Sequence, residues 1–176
     1  YPSRGRVLLD GAPIGPQHVR VGLMLGNTML YHRMTGYDNL QYFARLYSVD
    51  SSQRRIQELC TTLDIGSWIH DYVERYSNGM KSKLALARAL IHDPDVLLLD
   101  EPTSGLDPDI AASLRSFIRG LNKTIIVTTH NLYEVAQMTD RILLLQSGRL
   151  RADVKIASLK QDVEPWYFTQ ISGEKL

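Results

Sequence analysis

Long apolar runs are missing from this chain of 176 residues: the longest fully aliphatic stretches, Val96–Leu99 and Ile142–Leu145 among them, are four residues each. A membrane-spanning helix needs about 20 consecutive apolar residues, so nothing here is expected to cross a bilayer, and a membrane role would come through a partner. Cysteine is nearly absent. Cys60 stands alone, which excludes an internal disulfide, and its place on an apolar helical stripe predicts a core residue in a reducing compartment. Excess charge of either sign is also lacking, since 20 Lys and Arg face 19 Asp and Glu for a net +1. Such a balance gives no reason to expect a general nucleic-acid or anionic-membrane surface. There is no internal repeat and no low-complexity linker. What remains is ordinary globular composition, 44% hydrophobic and 22% charged, in a length that supports a real core.

The chain opens on Tyr1-Pro2-Ser3-Arg4-Gly5, without a Met and without a basic-then-apolar leader, and reads as an internal stretch of a longer protein. Arg6–Leu9 predicts a short strand and Asp10-Gly11 a turn. Val19–Leu25 predicts a second strand, broken at Gly26-Asn27. Thr35 and Asp38 form a helix-capping pair, behind which Leu40, Phe43, Ala44 and Tyr47 share one helical face. Ile56, Leu59, Cys60 and Leu63 repeat that spacing in a helix from Ser52. A third helix runs from about Gly79 to Ile91, with Met80, Leu84, Ala87 and Ile91 inward, and Asp93-Pro94 ends it.

From Val96 the pattern changes to alternating strands and helices. Val96–Leu99 is a strand, and Asp107-Pro108 caps a helix that buries Ile110, Leu114, Phe117, Ile118 and Leu121. Thr124–Thr128 is a β-branched strand, and Asn131 with Glu134 caps a short helix. Ile142–Leu145 is the next strand, turned by Ser147-Gly148 into Arg149-Leu150. This alternation predicts an α/β domain with a parallel sheet. The tail beyond Ala152 carries weaker signals and predicts no more than a small docking segment.

The most informative feature is Asp100-Glu101. Four aliphatics in a row read as a strand buried on both faces, and two carboxylates at its end are costly unless something cationic waits there. Ligands of open α/β sheets bind just beyond the carboxyl ends of strands. One carboxylate there suits a Mg²⁺ ligand and the other a base for an attacking water. Acids that merely cap the next helix are the alternative, and for an isolated motif the better one. Tyr76-Ser77-Asn78-Gly79-Met80-Lys81, directly before the third helix, adds a hydroxyl and free amides at a helix N-terminus, a natural anion site. A plain Ser or Asn cap is the alternative there.

Taken together, Tyr76–Lys81, Ala85-Leu86-Ala87-Arg88-Ala89-Leu90 and Asp95–Asp107 resemble the nucleotide-binding domain of an ATP-binding-cassette (ABC) transporter. The correspondence covers nearly the whole chain. Ser77, Asn78, Gly79 and Met80 sit where that family has its signature motif, Val96–Asp100 where it has the Walker B strand, and Ser104–Asp107 where it has the D-loop. The resemblance implies a P-loop NTPase-like core with an inserted helical subdomain. It divides the chain into residues 1–34 (remaining β region and Q-loop segment), 35–92 (helical subdomain ending in the signature and its helix), 93–152 (RecA-like core) and 153–176 (tail).

The implied chemistry is ATP hydrolysis with Mg²⁺ between two such domains paired head to tail. Asp100 would hold the metal, usually through water. Glu101 would polarise the attacking water, and His130 would contact the γ-phosphate. Ser77 and the amides of Asn78 and Gly79 would touch a nucleotide bound mainly by the second domain, and Asp107 would link the two sites. A lone histidine is more often a core residue, but His130 ends a central strand beside Asp100.

Two departures stand out. Nothing matches G-x-x-x-x-G-K-[ST], the phosphate-cradling loop, so the chain is expected to begin just after that loop and to bind ATP poorly as it stands. Asn27 occupies the Q-loop place where most relatives have glutamine, one methylene longer. The strings Leu25–Tyr31 and Met34–Leu40 resemble the branch of drug-resistance, sodium-export and polysaccharide-export ATPases, whose integral membrane permease is usually a separate polypeptide. The permease groove would expose Tyr31, His32 and Arg33, with a plain surface loop as the alternative for each. The leading expectation is therefore the ATPase subunit of an exporter, peripheral on the cytoplasmic face of the inner membrane, with no nucleic-acid partner. The alternatives are a soluble ABC ATPase acting on ribosomes or DNA, and a non-catalytic dimerising remnant.

Overall fold

A computed structural model describes residues 3–14, 20–26 and 29–172. The chain divides into two compact units, Tyr1–Leu98 with Lys123–Ile126, and Leu99–Asn122 with Val127–Leu176. The fold is α/β, with helices and a parallel sheet.

The first unit opens with a small antiparallel hairpin, β1 (Leu8–Leu9) and β2 (Ala12–Pro13). Strand β3 (Val21–Met24) follows, and with β4 (Val96–Asp100) and β5 (Thr124–Thr128) it makes a three-stranded sheet in the order β3-β4-β5. The amide of Thr124 donates to the Asp95 carbonyl at 3.1 Å, and that of Glu101 to the Thr128 carbonyl at 3.0 Å. Start meets start and end meets end, so β4 and β5 run parallel.

Three helices fill the segment between β3 and β4. Helix α1 (Gly36–Leu46) begins where Thr35 accepts from the Asp38 amide, the expected capping pair, and buries Leu40 and Ala44. Helix α2 (Ser52–Thr62) buries Ile56 and Leu59. Cys60 is half-buried rather than part of the core, at the edge of the stripe that suggested it. Helix α3 (Asn78–Leu90) is the best covered, with every residue from Leu84 to Leu90 buried. It lies directly on β3. A Cβ at Gly22 would sit 2.3 Å from the Ala89 carbonyl oxygen and 2.7 Å from Leu97, so only glycine allows this approach.

Arg88 is buried in that helix although arginine is seldom buried. Its guanidinium donates to the carbonyls of Met29 at 2.7 Å and Leu23 at 3.1 Å and lies 5.1 Å from the Phe43 ring. Those bonds replace the hydration it gives up.

In the second unit, Pro108 opens helix α4 (Pro108–Gly120) at its first turn, as expected, and Ala111, Leu114 and Ile118 are buried. Asn131 caps α5 (Leu132–Met138) by accepting from the Tyr133 amide. Strand β6 (Arg141–Gln146) pairs antiparallel with β7 (Arg149–Lys155), and among the described residues that two-stranded sheet stands apart from β3-β4-β5. The two-residue turn fixes the antiparallel pairing, because Ser147 and Gly148 both have positive φ, 50° and 72°. Helix α6 (Val163–Ser172), in the weakly signalled tail, packs on α5 and buries Val163 and Trp166.

One expectation about β4 changes. Leu97 and Leu99 are fully buried, but Val96 and Leu98 on the opposite face are half-buried. That face is only partly covered among the described residues.

Candidate active site

The second unit brings together three of the residues singled out in the sequence. Asp100 is the last residue of β4 and Glu101 the next, while His130 follows the end of β5 by two positions. Parallel neighbours place their carboxyl ends side by side, which is why residues 29 positions apart meet. The Thr128 hydroxyl donates to Asp100 Oδ1. Glu101 Oε1 accepts from the His130 backbone amide at 3.0 Å and lies 2.7 Å from His130 Nδ1.

Both contacts fall on one oxygen. Glu101 Oε2 accepts no hydrogen bond among the described residues and is left for a ligand or water. The Glu101 side chain is 28% exposed and that of His130 82%, so the pair sits at a surface rather than in the core. The hydrogen bond that Glu101 accepts, and then its charge, hold the imidazole above its usual pKa. Glu101 itself has φ 48°, the left-handed region that a side chain rarely adopts. Such backbone costs on the order of 1–3 kcal/mol and gathers at functional sites.

Asp100 offers its second carboxylate oxygen, a donor of the kind Mg²⁺ takes alongside phosphate oxygens and water. No cluster of three or more His, Cys, Asp or Glu surrounds it among the described residues, and Mg²⁺ rarely uses an all-protein cage. The residues present are compatible with Mg²⁺ held largely by a nucleotide, for which Asp100 could be the protein ligand.

Ser77, Asn78, Gly79 and Met80 form a second cluster in the first unit. Ser77 is the N-cap of α3, and its hydroxyl accepts from the Met80 amide at 3.2 Å. Helix geometry leaves the amides of Asn78 and Gly79 without intrahelical acceptors. Ser77 and Asn78 are exposed and Gly79 is buried. Asp107 is the exposed N-cap of α4, and its carboxylate makes no capping bond to the helix. Asn27 lies outside the described residues. Tyr31, His32 and Arg33 are exposed, as expected.

A family model described as ABC transporter matches residues 1–104. The chain belongs to the ABC transporter family. NatA of Bacillus subtilis, an ABC transporter ATP-binding protein, is 39% identical over 159 residues, which cover 85% of this chain and 65% of NatA. A fluoroquinolones export ATP-binding protein of Mycobacterium tuberculosis is 35% identical over 167 residues, covering 90% of this chain and 55% of that protein. This ABC chain thus spans less than two thirds of the length of these relatives. Among solved structures, a dimeric ATP-binding cassette in a post-hydrolysis state with ADP and Pi bound shares the fold at TM-score 0.78 and 21% identity, covering 88% of this chain and 75% of that one.

Beside the ABC motifs lies a group that sequence reasoning passed over. Thr103, two residues beyond Glu101, donates its hydroxyl to Glu134 Oε2 at 2.5 Å. Arg115 of α4 donates to Glu134 Oε1 at 3.0 Å and to Gln137 Oε1 at 2.9 Å. By sequence Glu134 reads as a helix-capping residue with Asn131. Its neighbours on the helix face, Asn131, Gln137 and Met138, give no sign of the contact.

Proposed function

We propose that this chain is part of an ATP-hydrolysing subunit of an ABC transporter, and that the subunit powers export through a separate membrane permease. The single observation that carries the reading is the Glu101–His130 pair beside Asp100 at the ends of two parallel strands. In this reading Asp100 holds Mg²⁺, which neutralises charge on the transferred phosphoryl group when bound. Glu101 Oε2 orients and polarises a water, while Oε1 stays engaged with His130. An imidazole that donates through Nδ1 to Glu101 has Nε2 free, and only the protonated ring can also donate there to a phosphate oxygen. The raised pKa of His130 favours that form.

Ser77 and the first amides of α3 are the second phosphate-binding element, acting on a nucleotide held mainly by another copy of such a domain. Asp107, whose carboxylate is not spent on its own helix, is the link between sites. The dimeric neighbour with ADP and Pi supports both pairing and hydrolysis. The relative named for fluoroquinolones export supports the direction of transport. Residues 35–92 act as the helical subdomain, residues 93–152 as the catalytic core, and the location is the cytoplasmic face of the membrane that holds the permease.

The test is Glu101→Gln in the intact protein that carries this chain. Steady-state ATP turnover should fall by about 10²–10⁴-fold with nucleotide binding retained. Turnover near the parent rate removes Glu101 from the water-activating role.

A further inference from the structure

The Thr103–Glu134–Arg115 group has no place in the chemistry above, yet among the described residues it is the most enclosed polar cluster of the second unit. Thr103 and Glu134 are each 5% exposed, and the Arg115 side chain is 12% exposed. Each Glu134 oxygen has a donor, Thr103 on one and Arg115 on the other. Arg115 is held in turn by Gln137 and by the face of Tyr133, 5.9 Å from its guanidinium carbon. A buried carboxylate fully paired in this way is rigid, and removing one partner leaves the rest uncompensated.

Its position in the chain matters more than its stability. Thr103 is two residues after Glu101, and Glu134 is four residues after His130. The 2.5 Å bond between them therefore closes a ring through the backbone of both segments, with the Glu101–His130 contact on the opposite side. Glu101 needs such support, because its φ of 48° would otherwise relax and swing the carboxylate.

We propose that Thr103, Glu134 and Arg115 are positioning residues that lock the loop after β4 to α5 and so hold the Glu101 carboxylate against His130. The proposal rests on the hydrolytic reading of Glu101. Thr103 delivers the hydroxyl, Glu134 is the bridge, and Arg115 supplies the compensating charge from α4. None of the three touches the reacting atoms. A displacement of about 1 Å at a catalytic group is enough to cost roughly 10²-fold in rate.

The test compares Thr103→Val, which keeps the shape and deletes the hydroxyl, with Thr103→Ser, which restores it. Three quantities are read in the intact protein: kcat and KM for ATP, and the hydrogen-exchange rate of the His130 backbone amide, whose acceptor is Glu101. Thr103→Val should lower kcat by about tenfold, leave KM within about twofold and speed His130 exchange by about tenfold, while Thr103→Ser stays near the parent on all three. An unchanged kcat, a KM that rises in step with the loss, unchanged exchange, or a Thr103→Ser variant as impaired as Thr103→Val overturns the proposal. Should Thr103→Val fail to fold, Glu134→Gln carries the test, since it keeps a weaker acceptor for Thr103. It should show the same changes at about threefold, and parent-like values overturn the proposal. Glu101→Gln serves as the control: parent-like turnover there sinks the hydrolytic reading and leaves the exchange result standing.

Discussion

His130 grips a single oxygen of Glu101 twice, through its ring nitrogen at 2.7 Å and its backbone amide at 3.0 Å. The carboxylate is thus fixed at one end and open at the other. A freely rotating glutamate would offer either oxygen to water; this one offers Oε2 in a set orientation. The same contact predicts a measurable titration.

By NMR, the His130 imidazole should titrate above its ordinary value of 6.5 and return toward it in Glu101→Gln. The sign is set by the direction of the shift. A folded pKa above the unfolded one contributes stability that is complete below the unfolded pKa and fades as pH rises through the folded one. His130 is solvent-exposed, so the effect should shrink in high salt. A His130 titration that ignores the identity of residue 101 removes the pair as its cause.

Ser77→Arg places a long cation on the exposed cap of α3. Loss of the cap should cost about 1 kcal/mol in helix stability. Nucleotide binding by an isolated subunit should survive, and turnover of the assembled pair should vanish. Equal loss of both contradicts a role for Ser77 on a neighbour's nucleotide.

Gly22→Ala drives a methyl group toward the Ala89 carbonyl, 2.3 Å away. Overpacking costs about 1–3 kcal/mol, or roughly 3–10 °C in Tm for a chain of this size. A variant that melts with the parent shows that β3 and α3 separate more easily than this packing implies.

Arg88→Lys keeps the charge but cannot reproduce a fork that reaches two carbonyls, those of Met29 and Leu23. One part-buried acceptor loses its donor, at about 1 kcal/mol. Thermal melts of the substituted protein check this; an unchanged Tm means water replaces the lost donor.

Local signals carried much of this structure. The Asp100-Glu101 pair follows from a strand whose length the aliphatic run defines, and the caps at Thr35 and Asn131 follow from residue type and spacing. Partners distant in sequence were not legible. Nothing near Arg88 in the sequence announces its bonds, because its two carbonyl acceptors lie 59 and 65 residues away. Glu134 meets Thr103 across 31 residues and Arg115 across 19, distances at which no periodicity operates. The left-handed backbone of Glu101 has no counterpart in propensity, since only Gly, and at times Asn or Asp, visits that region routinely. Burial of β4 on both faces was inferred from composition alone, and composition does not say what lies opposite Val96 and Leu98.

The tight β6–β7 turn also has a kinetic consequence. Residues three to fourteen positions apart pair in that hairpin, whereas β3 and β4 are joined through Arg20 and Asp95, 75 positions apart. Closing short loops is quick and hairpins form in about 1–10 μs, while distant strand pairing waits on a large search. Pulse-labelling during refolding should therefore protect the amides of Arg141–Lys155 well before those of Val21–Met24.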